Sequence, residues 1–126
     1  MSERLELVVN GCRVRGALGE DGRAMWSVAD FMGALYSREG SNGRISKVGS
    51  VYLQRFRGAE GARSNVMREH SVMLRIPGSR GALSAAMDAA GLVALMGVMR
   101  FRSKKGEQGA ILRRAHAAYT QLMALQ

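Results

Sequence analysis

The sequence predicts an α+β fold in which a small antiparallel β-meander packs with about four short helices. Two observations predict it. Residues 1–26 alternate apolar and polar side chains between turn signals, and later segments carry apolar residues at helical spacing. The chain has 126 residues, of which 47% are hydrophobic, so it can bury a core without a metal or a disulfide. We therefore expect a single domain, residues 1–126, whose core spans about residues 4–125.

Three strands are predicted near the N-terminus. Leu5–Val9 is rich in β-favouring residues, and Asn10-Gly11 is the dipeptide preferred in two-residue hairpin turns. Cys12–Leu18 then alternates, with its two arginines on the face opposite its apolar side chains. A second turn at residues 19–22 leads to a short strand at 23–26. Together these segments predict the β-meander.

The segment after the meander predicts a first helix at residues 28–36. Ser27 and Asp30 resemble a capping box, with Asp in place of the usual Glu. The apolar residues that follow recur at helical spacing. The capping pattern and the spacing agree on where this helix begins.

The middle of the chain is less regular. Residues 45–56 carry apolar side chains along one side and predict a second helix. Residues 58–64 predict a turn, and residues 66–76 favour one or two strands, ended by Pro77-Gly78.

The last third predicts two helices joined by a basic loop. Asp88 fits the N-cap of the first helix, which contains Leu92 and Leu95. Residues 100–106 form the loop, and Glu107 places an acid at the start of the final helix, as the helix dipole favours. The apolar stripe expected on the final helix consists of Ile111, Ala115, Ala118, Tyr119, Leu122 and Leu125 or Met123.

Few residues could carry catalysis or bind a metal. Cys12 is the only cysteine and is expected to pack as a small hydrophobic residue. His70 and His116 are far apart in the chain, and no paired carboxylates, nucleophile elbow or phosphate-loop motif are present. We predict a non-enzymatic protein with no catalytic residue, cofactor or metal. The N-terminus carries acids and the chain has no long apolar run, which predicts an intracellular protein without a signal peptide or membrane span.

Charge is the strongest functional signal. Nineteen Lys and Arg against ten Asp and Glu give a net charge of +9, and so basic a domain attracts polyanions. Most of these cations are Arg, whose planar donors match phosphate, although the codon preference of a GC-rich genome would produce the same bias. They concentrate in residues 38–68 and 100–114. The residues expected to contact nucleic acid are Arg44, Lys47, Arg55, Arg57, Arg100, Arg102, Ser103, Lys104, Lys105, Arg113 and Arg114.

Three stretches also carry a family resemblance. Trp26 and Asp30 form an aromatic-x-x-x-Asp entry to the first helix, Asp88–Met96 has an acid–small–Gly–Leu pattern, and Arg102–Lys105 precedes a helix bearing Ala and Arg. In this order they resemble the KilA-N / BRO N-terminal DNA-binding domains of large DNA viruses and phages, over about residues 4–125 and with residues 37–83 unmatched. The resemblance implies an α+β fold, DNA binding without catalysis, and a location in the host nucleus or cytoplasm.

We therefore expect a protein that binds double-stranded DNA through its phosphates. The alternative is a self-assembling viral structural or protein-interaction module that uses the nine methionines and the C-terminal apolar surface. A homodimer or higher oligomer is consistent with both, because a second copy doubles the cationic footprint. The two predictions differ in whether the protein binds a duplex in a salt-sensitive way.

Overall fold

The structure, a computed structural model of the chain, describes residues 5–36, 62–76, 83–98 and 108–125. Within these ranges it contains five β-strands and four α-helices, which confirms the predicted α+β class. Four predicted features lie outside the described residues: the helix at 45–56, the stop at Pro77-Gly78, the basic loop at 100–106 and the acidic start of the final helix at Glu107.

The five strands form one antiparallel sheet. In chain order they are β1 (Leu5–Val9), β2 (Cys12–Leu18), β3 (Ala24–Ser27), β4 (Val72–Arg75) and β5 (Leu83–Met87). Their order across the sheet is β1-β2-β3-β5-β4, so β1 and β4 form its edges. The predicted meander is confirmed as β1 to β3, and the two later strands extend it beyond β3.

The β1–β2 hairpin has the geometry that its sequence predicts. Val9 pairs with Cys12 across the turn, and Asn10 and Gly11 have φ angles of 54° and 76°. Positive φ at both central residues is typical of the type I′ turn, whose twist matches that of an antiparallel pair. The Asn-Gly dipeptide therefore sets the register of the two strands.

The four helices are α1 (Val28–Tyr36), α2 (Ala62–His70), α3 (Ala89–Val98) and α4 (Gln108–Ala124). α1 has the predicted bounds, and the backbone N–H of Asp30 donates to Ser27 Oγ at 3.2 Å, as in a capping box. The N–H of Gly91 donates to Asp88 Oδ1 at 2.7 Å, which confirms Asp88 as the N-cap of α3. Of the helices described, none combines the length and apolarity needed to cross a bilayer.

Two predictions for the middle of the chain are wrong in part, although β4 confirms a strand at Val72–Arg75. The turn expected at residues 58–64 overlaps α2, which begins at Ala62, and the strand region expected at 66–76 is helical as far as His70. Met67 of α2 is buried in the core, with Val66 packed beside it. Burying these side chains from a helix outweighs the weak alternation that favoured strands.

β5 is a strand that its own sequence does not indicate. Its residues, Leu-Ser-Ala-Ala-Met, include no β-branched or aromatic side chain, and alanine favours helices. The strand forms between β3 and β4, pairing Met87 with Trp26 on one side and Ser84 with Leu74 on the other. The strand is paired on both sides, and α1 packs against it. These tertiary contacts override the helical preference of its residues.

α1 lies at the centre of the core. Its Phe31, Met32 and Leu35 are fully buried and share one cluster with sheet residues such as Val14 and Trp26. Trp26 and Phe31 therefore anchor the core where the sheet meets α1. The other helices contribute further side chains to this cluster, among them Met67, Leu92, Leu95 and Leu122.

Candidate nucleic-acid interface

The structure places two of the eleven predicted nucleic-acid contacts, Arg113 and Arg114, both on α4. Arg113 is exposed and Arg114 is half-buried. The other nine lie outside the described residues: Arg44, Lys47, Arg55, Arg57, Arg100, Arg102, Ser103, Lys104 and Lys105. They remain predictions from the sequence.

Arg114 joins α4 to the end of α1. Its Nη1 donates to the backbone carbonyl of Leu35 at 3.2 Å, and Asn10 Nδ2 donates to the neighbouring carbonyl of Ala34 at 3.5 Å. The last carbonyls of a helix have no partner within the helix and carry the negative end of its dipole. Arg114 therefore caps α1 with a positive charge, a role that the sequence prediction did not include.

The same arginine affects Cys12, which is free and buried, as predicted for this residue. Burial raises the pKa of the Cys12 thiol, because the thiolate would lose its hydration, while the positive charge of Arg114 acts in the opposite direction. Burial is the larger effect. The thiol is therefore held in its protonated, less nucleophilic form.

Arg15 is engaged within the fold by the carboxylate at the start of α1. Its Nε donates to Asp30 Oδ2 at 2.7 Å and its Nη2 donates to Oδ1 at 3.1 Å, a bidentate pair. The backbone N–H of Arg15 also donates to Asp30 Oδ2 at 3.1 Å. The hydrogen bond with Asp30 raises the pKa of Arg15 above its usual value, against the opposing effect of burial.

Arg23 is engaged in a similar way by the carboxylate at the start of α3. Its Nη1 donates to Asp88 Oδ2 at 3.0 Å, and its Nε lies 3.3 Å from Asp21 Oδ2. Asp88 therefore caps α3 with one oxygen and holds Arg23 with the other. The two helix-start carboxylates, at positions 30 and 88, thus each pair with an arginine: Arg15 of β2 and Arg23, which directly precedes β3.

The net positive charge is distributed unevenly between the described residues and the rest of the chain. The described ranges contain eight basic and six acidic residues, a net +2. Residues 37–61 contain five basic and two acidic residues, and residues 99–107 contain four and one, so each of these segments carries +3. Most of the +9 therefore belongs to segments that connect the described helices.

The Arg114 contact brings the borders of these two segments together. Segment 37–61 follows Tyr36, the last residue of α1, and segment 99–107 precedes Gln108, the first residue of α4. Leu35 is hydrogen-bonded to Arg114, which lies about 9 Å along the helix axis from Gln108, at 1.5 Å per residue. One border of each basic segment, at Tyr36 and at Gln108, therefore lies near this contact.

A cleft of about 490 Å³ lies between the β2–β3 turn, the end of α2 and strand β4. Glu20, Asp21, Glu69 and Asp88 line it, together with Arg23 and His70. Its charge is opposite to that of the predicted interface, so phosphate is unfavourable there. Among the residues that the structure describes, no three His, Cys, Asp or Glu side chains are grouped as metal ligands.

α4 exposes apolar side chains that were expected in the core. Ile111, Ala115, Ala118 and Leu122 are buried as predicted, but Tyr119, Met123 and Leu125 are exposed. Among the described elements, α4 packs mainly on α1 and α3, and this packing buries the first four side chains. A second stripe adjoins the buried one, about 100° further round the helix, because each of its members directly follows a buried residue: Leu112, His116, Tyr119 and Met123. We call these four residues the outer stripe.

The fold and charge together define a basic α+β protein with a five-stranded antiparallel sheet. Comparison with known proteins finds no match to this chain among family models, curated proteins or solved structures. The resemblance to the KilA-N / BRO domains therefore remains a prediction that depends on the three quoted stretches.

Proposed function

We propose that this protein binds double-stranded DNA through phosphate contacts, without catalysis, in the manner of the KilA-N / BRO domains that its sequence resembles. The contacts belong to the two basic segments, 37–61 and 99–107, with Arg113 beside them on α4. Affinity of this kind comes from charge and is independent of base sequence.

One contact carries the proposal: the hydrogen bond from Arg114 Nη1 to the carbonyl of Leu35. It ties the end of α1 to the first half of α4, where the two basic segments border the fold. A duplex presents phosphates along both strands, so two cationic segments that each have one border near this contact can bind a common duplex. Arg113, exposed next to Arg114, adds a cation at the same place.

The way the described arginines are engaged supports the same conclusion. Arg15, Arg23 and Arg114 make ion pairs or hydrogen bonds within the fold, so their charge is partly compensated. Segments 37–61 and 99–107 together contain nine basic residues and only three acidic ones. The excess charge for a polyanion therefore lies in these segments and not in the sheet.

Fluorescence anisotropy with a labelled duplex at several salt concentrations tests the proposal. If about five phosphates are neutralised, log K falls against log salt with a slope near −4.5. Changing Arg102, Lys104 and Lys105 to Ala is expected to reduce that slope by about 2.7, at 0.9 per lost contact.

The matched control removes three charges outside segments 37–61 and 99–107, by changing Arg13, Arg68 and Arg75 to Ala. These side chains are exposed on β2, α2 and β4, so the net charge falls to the same value. The proposal requires that the control keep most of the slope. Equal losses in both variants, or no salt-sensitive binding by the parent chain, would contradict it. A large oligomer that binds no duplex would favour the alternative, a self-assembling module.

A further inference from the structure

β1 is an edge strand of the sheet, so every second residue directs its backbone N–H and C=O groups away from the sheet. The N–H of Arg15 on β2 donates to Asp30 and not to Glu6, the residue opposite it on β1. Glu6 is therefore in a non-hydrogen-bonded pair. The two kinds of pair alternate along an antiparallel ladder, so Val8, two residues further on, is in one as well. The backbone groups of Glu6 and Val8 thus point outward.

Gln121 of α4 occupies one of these outward groups. Its Nε2 donates to the carbonyl oxygen of Val8 at 2.6 Å, although the two residues are 113 positions apart in the chain. A strand added beside β1 would use the same oxygen to accept a backbone N–H. That strand would lie about 4.8 Å from β1, where the amide of Gln121 now lies. Strand addition and the Gln121 contact therefore exclude each other.

A second copy of β1 is complementary to this edge. If two β1 strands pair antiparallel about Leu7, Glu6 of one copy lies opposite Val8 of the other, and the pairing is the same for both copies. The outward residues then exchange hydrogen bonds, and no two glutamates face each other. Val8 is 54% exposed, so its side chain would gain apolar contacts in the pair. The edge of β1 is thus self-complementary wherever Gln121 does not occupy it.

We propose that Gln121 blocks the edge of β1 and so prevents edge-to-edge pairing between copies of this chain, an autoinhibitory contact built into the fold. The proposal goes beyond DNA binding and does not depend on it. Copies of the chain also repel each other through their net charge of +9. That repulsion is screened in about 1 M salt, where the Debye length is about 3 Å, whereas the Gln121 contact persists there as a short hydrogen bond. The parent chain is therefore expected to stay unpaired at β1 even in high salt.

Sedimentation velocity in about 1 M salt, over a range of protein concentrations and without DNA, measures the association. Gln121→Ala is expected to dimerise about 30-fold more tightly than the parent chain, at roughly fivefold for each of the two carbonyl groups that it frees. Alanine favours helices, so α4 stays intact. The matched control is Thr120→Ala, which shortens the neighbouring exposed side chain of α4 and leaves the Val8 contact in place. It is expected to associate no more than the parent chain.

Val8→Pro tests where the copies meet. The N–H of Val8 points away from β2, so this substitution removes no hydrogen bond of the β1–β2 hairpin but prevents a strand from pairing with the edge. The double variant Val8→Pro with Gln121→Ala is expected to be monomeric. Glu6→Pro with Gln121→Ala repeats the test at the other outward position, and circular dichroism verifies that each variant is folded.

The proposal is supported if Gln121→Ala dimerises, Thr120→Ala does not, and the proline substitutions abolish the dimer. It is overturned if the folded Gln121→Ala chain associates no more than the parent chain, if Thr120→Ala associates as strongly as Gln121→Ala, or if both proline double variants still dimerise. No duplex is present in these measurements, so this proposal and the proposal of DNA binding can fail separately.

Discussion

Asp30 accepts hydrogen bonds from both Nε and Nη2 of Arg15 while its own side chain is only 2% exposed. The pair joins the start of α1 to β2 at the point where β3 ends and α1 begins. There the carboxylate also accepts the backbone N–H of Arg15, the residue next to Gly16, where the pairing of β2 with β3 ends. This partly buried ion pair fixes the position of α1 over the sheet.

Asp30→Asn is expected to lower the free energy of unfolding by about 2 kcal/mol, because it removes the negative charge that is paired with the partly buried guanidinium of Arg15. This loss of stability is smaller than expected for a fully buried ion pair, since the Arg15 side chain is 27% exposed and water can solvate it. Urea unfolding followed by circular dichroism measures the change.

The control for this prediction is Glu20→Gln, which makes the same chemical change at an exposed carboxylate. Its effect is expected to stay within about 0.5 kcal/mol. Equal effects from the two substitutions would show that Asp30 acts only through the net charge of the protein.

Gly16→Ala is expected to destabilise the protein by about 3 kcal/mol, through overpacking. A Cβ at this position would lie 2.6 Å from both the backbone oxygen of Met25 and Cε3 of Trp26. The backbone oxygen belongs to β3, paired with β2, so it cannot move without disturbing the sheet. Thermal unfolding and the fluorescence of Trp26, the only tryptophan, report the change.

Gly97→Ala is the matched substitution in a helix, where a Cβ meets nothing within 4 Å. It is expected to stabilise the protein by about 0.5–1 kcal/mol, because alanine loses less backbone entropy in α3 than glycine does. If Gly97→Ala destabilised the protein as much as Gly16→Ala, the close approach of Trp26 would not explain the first result.

Arg113→Ala and Arg114→Ala are expected to distinguish a residue that binds DNA from a residue that stabilises the fold. Arg114→Ala removes the cap on the carbonyl of Leu35 and should cost about 1 kcal/mol of unfolding free energy. Arg113→Ala should leave stability within about 0.5 kcal/mol and reduce the salt slope of DNA binding by about 0.9. Urea unfolding and anisotropy, performed on both variants, test the separation. Loss of stability in Arg113→Ala would refute it.

Stability is expected to fall in alkaline solution through Cys12. Its thiol has a pKa above the usual 9.0 in the folded chain, so the unfolded chain loses this proton first as the pH rises. The contribution is complete below about pH 9 and is lost as the pH increases through the raised value. Urea unfolding at several pH values, compared with Cys12→Ala, isolates the effect from other groups. An identical pH dependence in the two chains would contradict the prediction.

The rate of thiol labelling gives a second measure of Cys12. A thiol reagent is expected to react with the parent chain much more slowly than with Leu112→Cys, whose new thiol is on the exposed stripe of α4. Burial and the scarcity of thiolate both slow the reaction. Fast labelling of the folded parent chain would mean that Cys12 is accessible.

The β1–β2 hairpin and the bounds of α1 could be predicted from sequence because their causes lie within a few residues. Asn10-Gly11 adopts positive φ at both positions, and Ser27 caps the helix that begins at the next residue. The N-cap at Asp88 follows from the same kind of local chemistry. Turns and caps act over short distances along the chain, so a sequence pattern is enough to find them.

β5, α2 and the partners of the arginines could not be predicted in that way. β5 is a strand because β3 and β4 pair with it, and Arg114 caps a helix 79 residues earlier in the chain. The sequence by itself determined the class of fold, the total charge and the local starts of the elements. The tertiary structure alone decided which residues pair over long distances and which face of α4 is left exposed. The reason is that packing between distant segments depends on how all of them fit together.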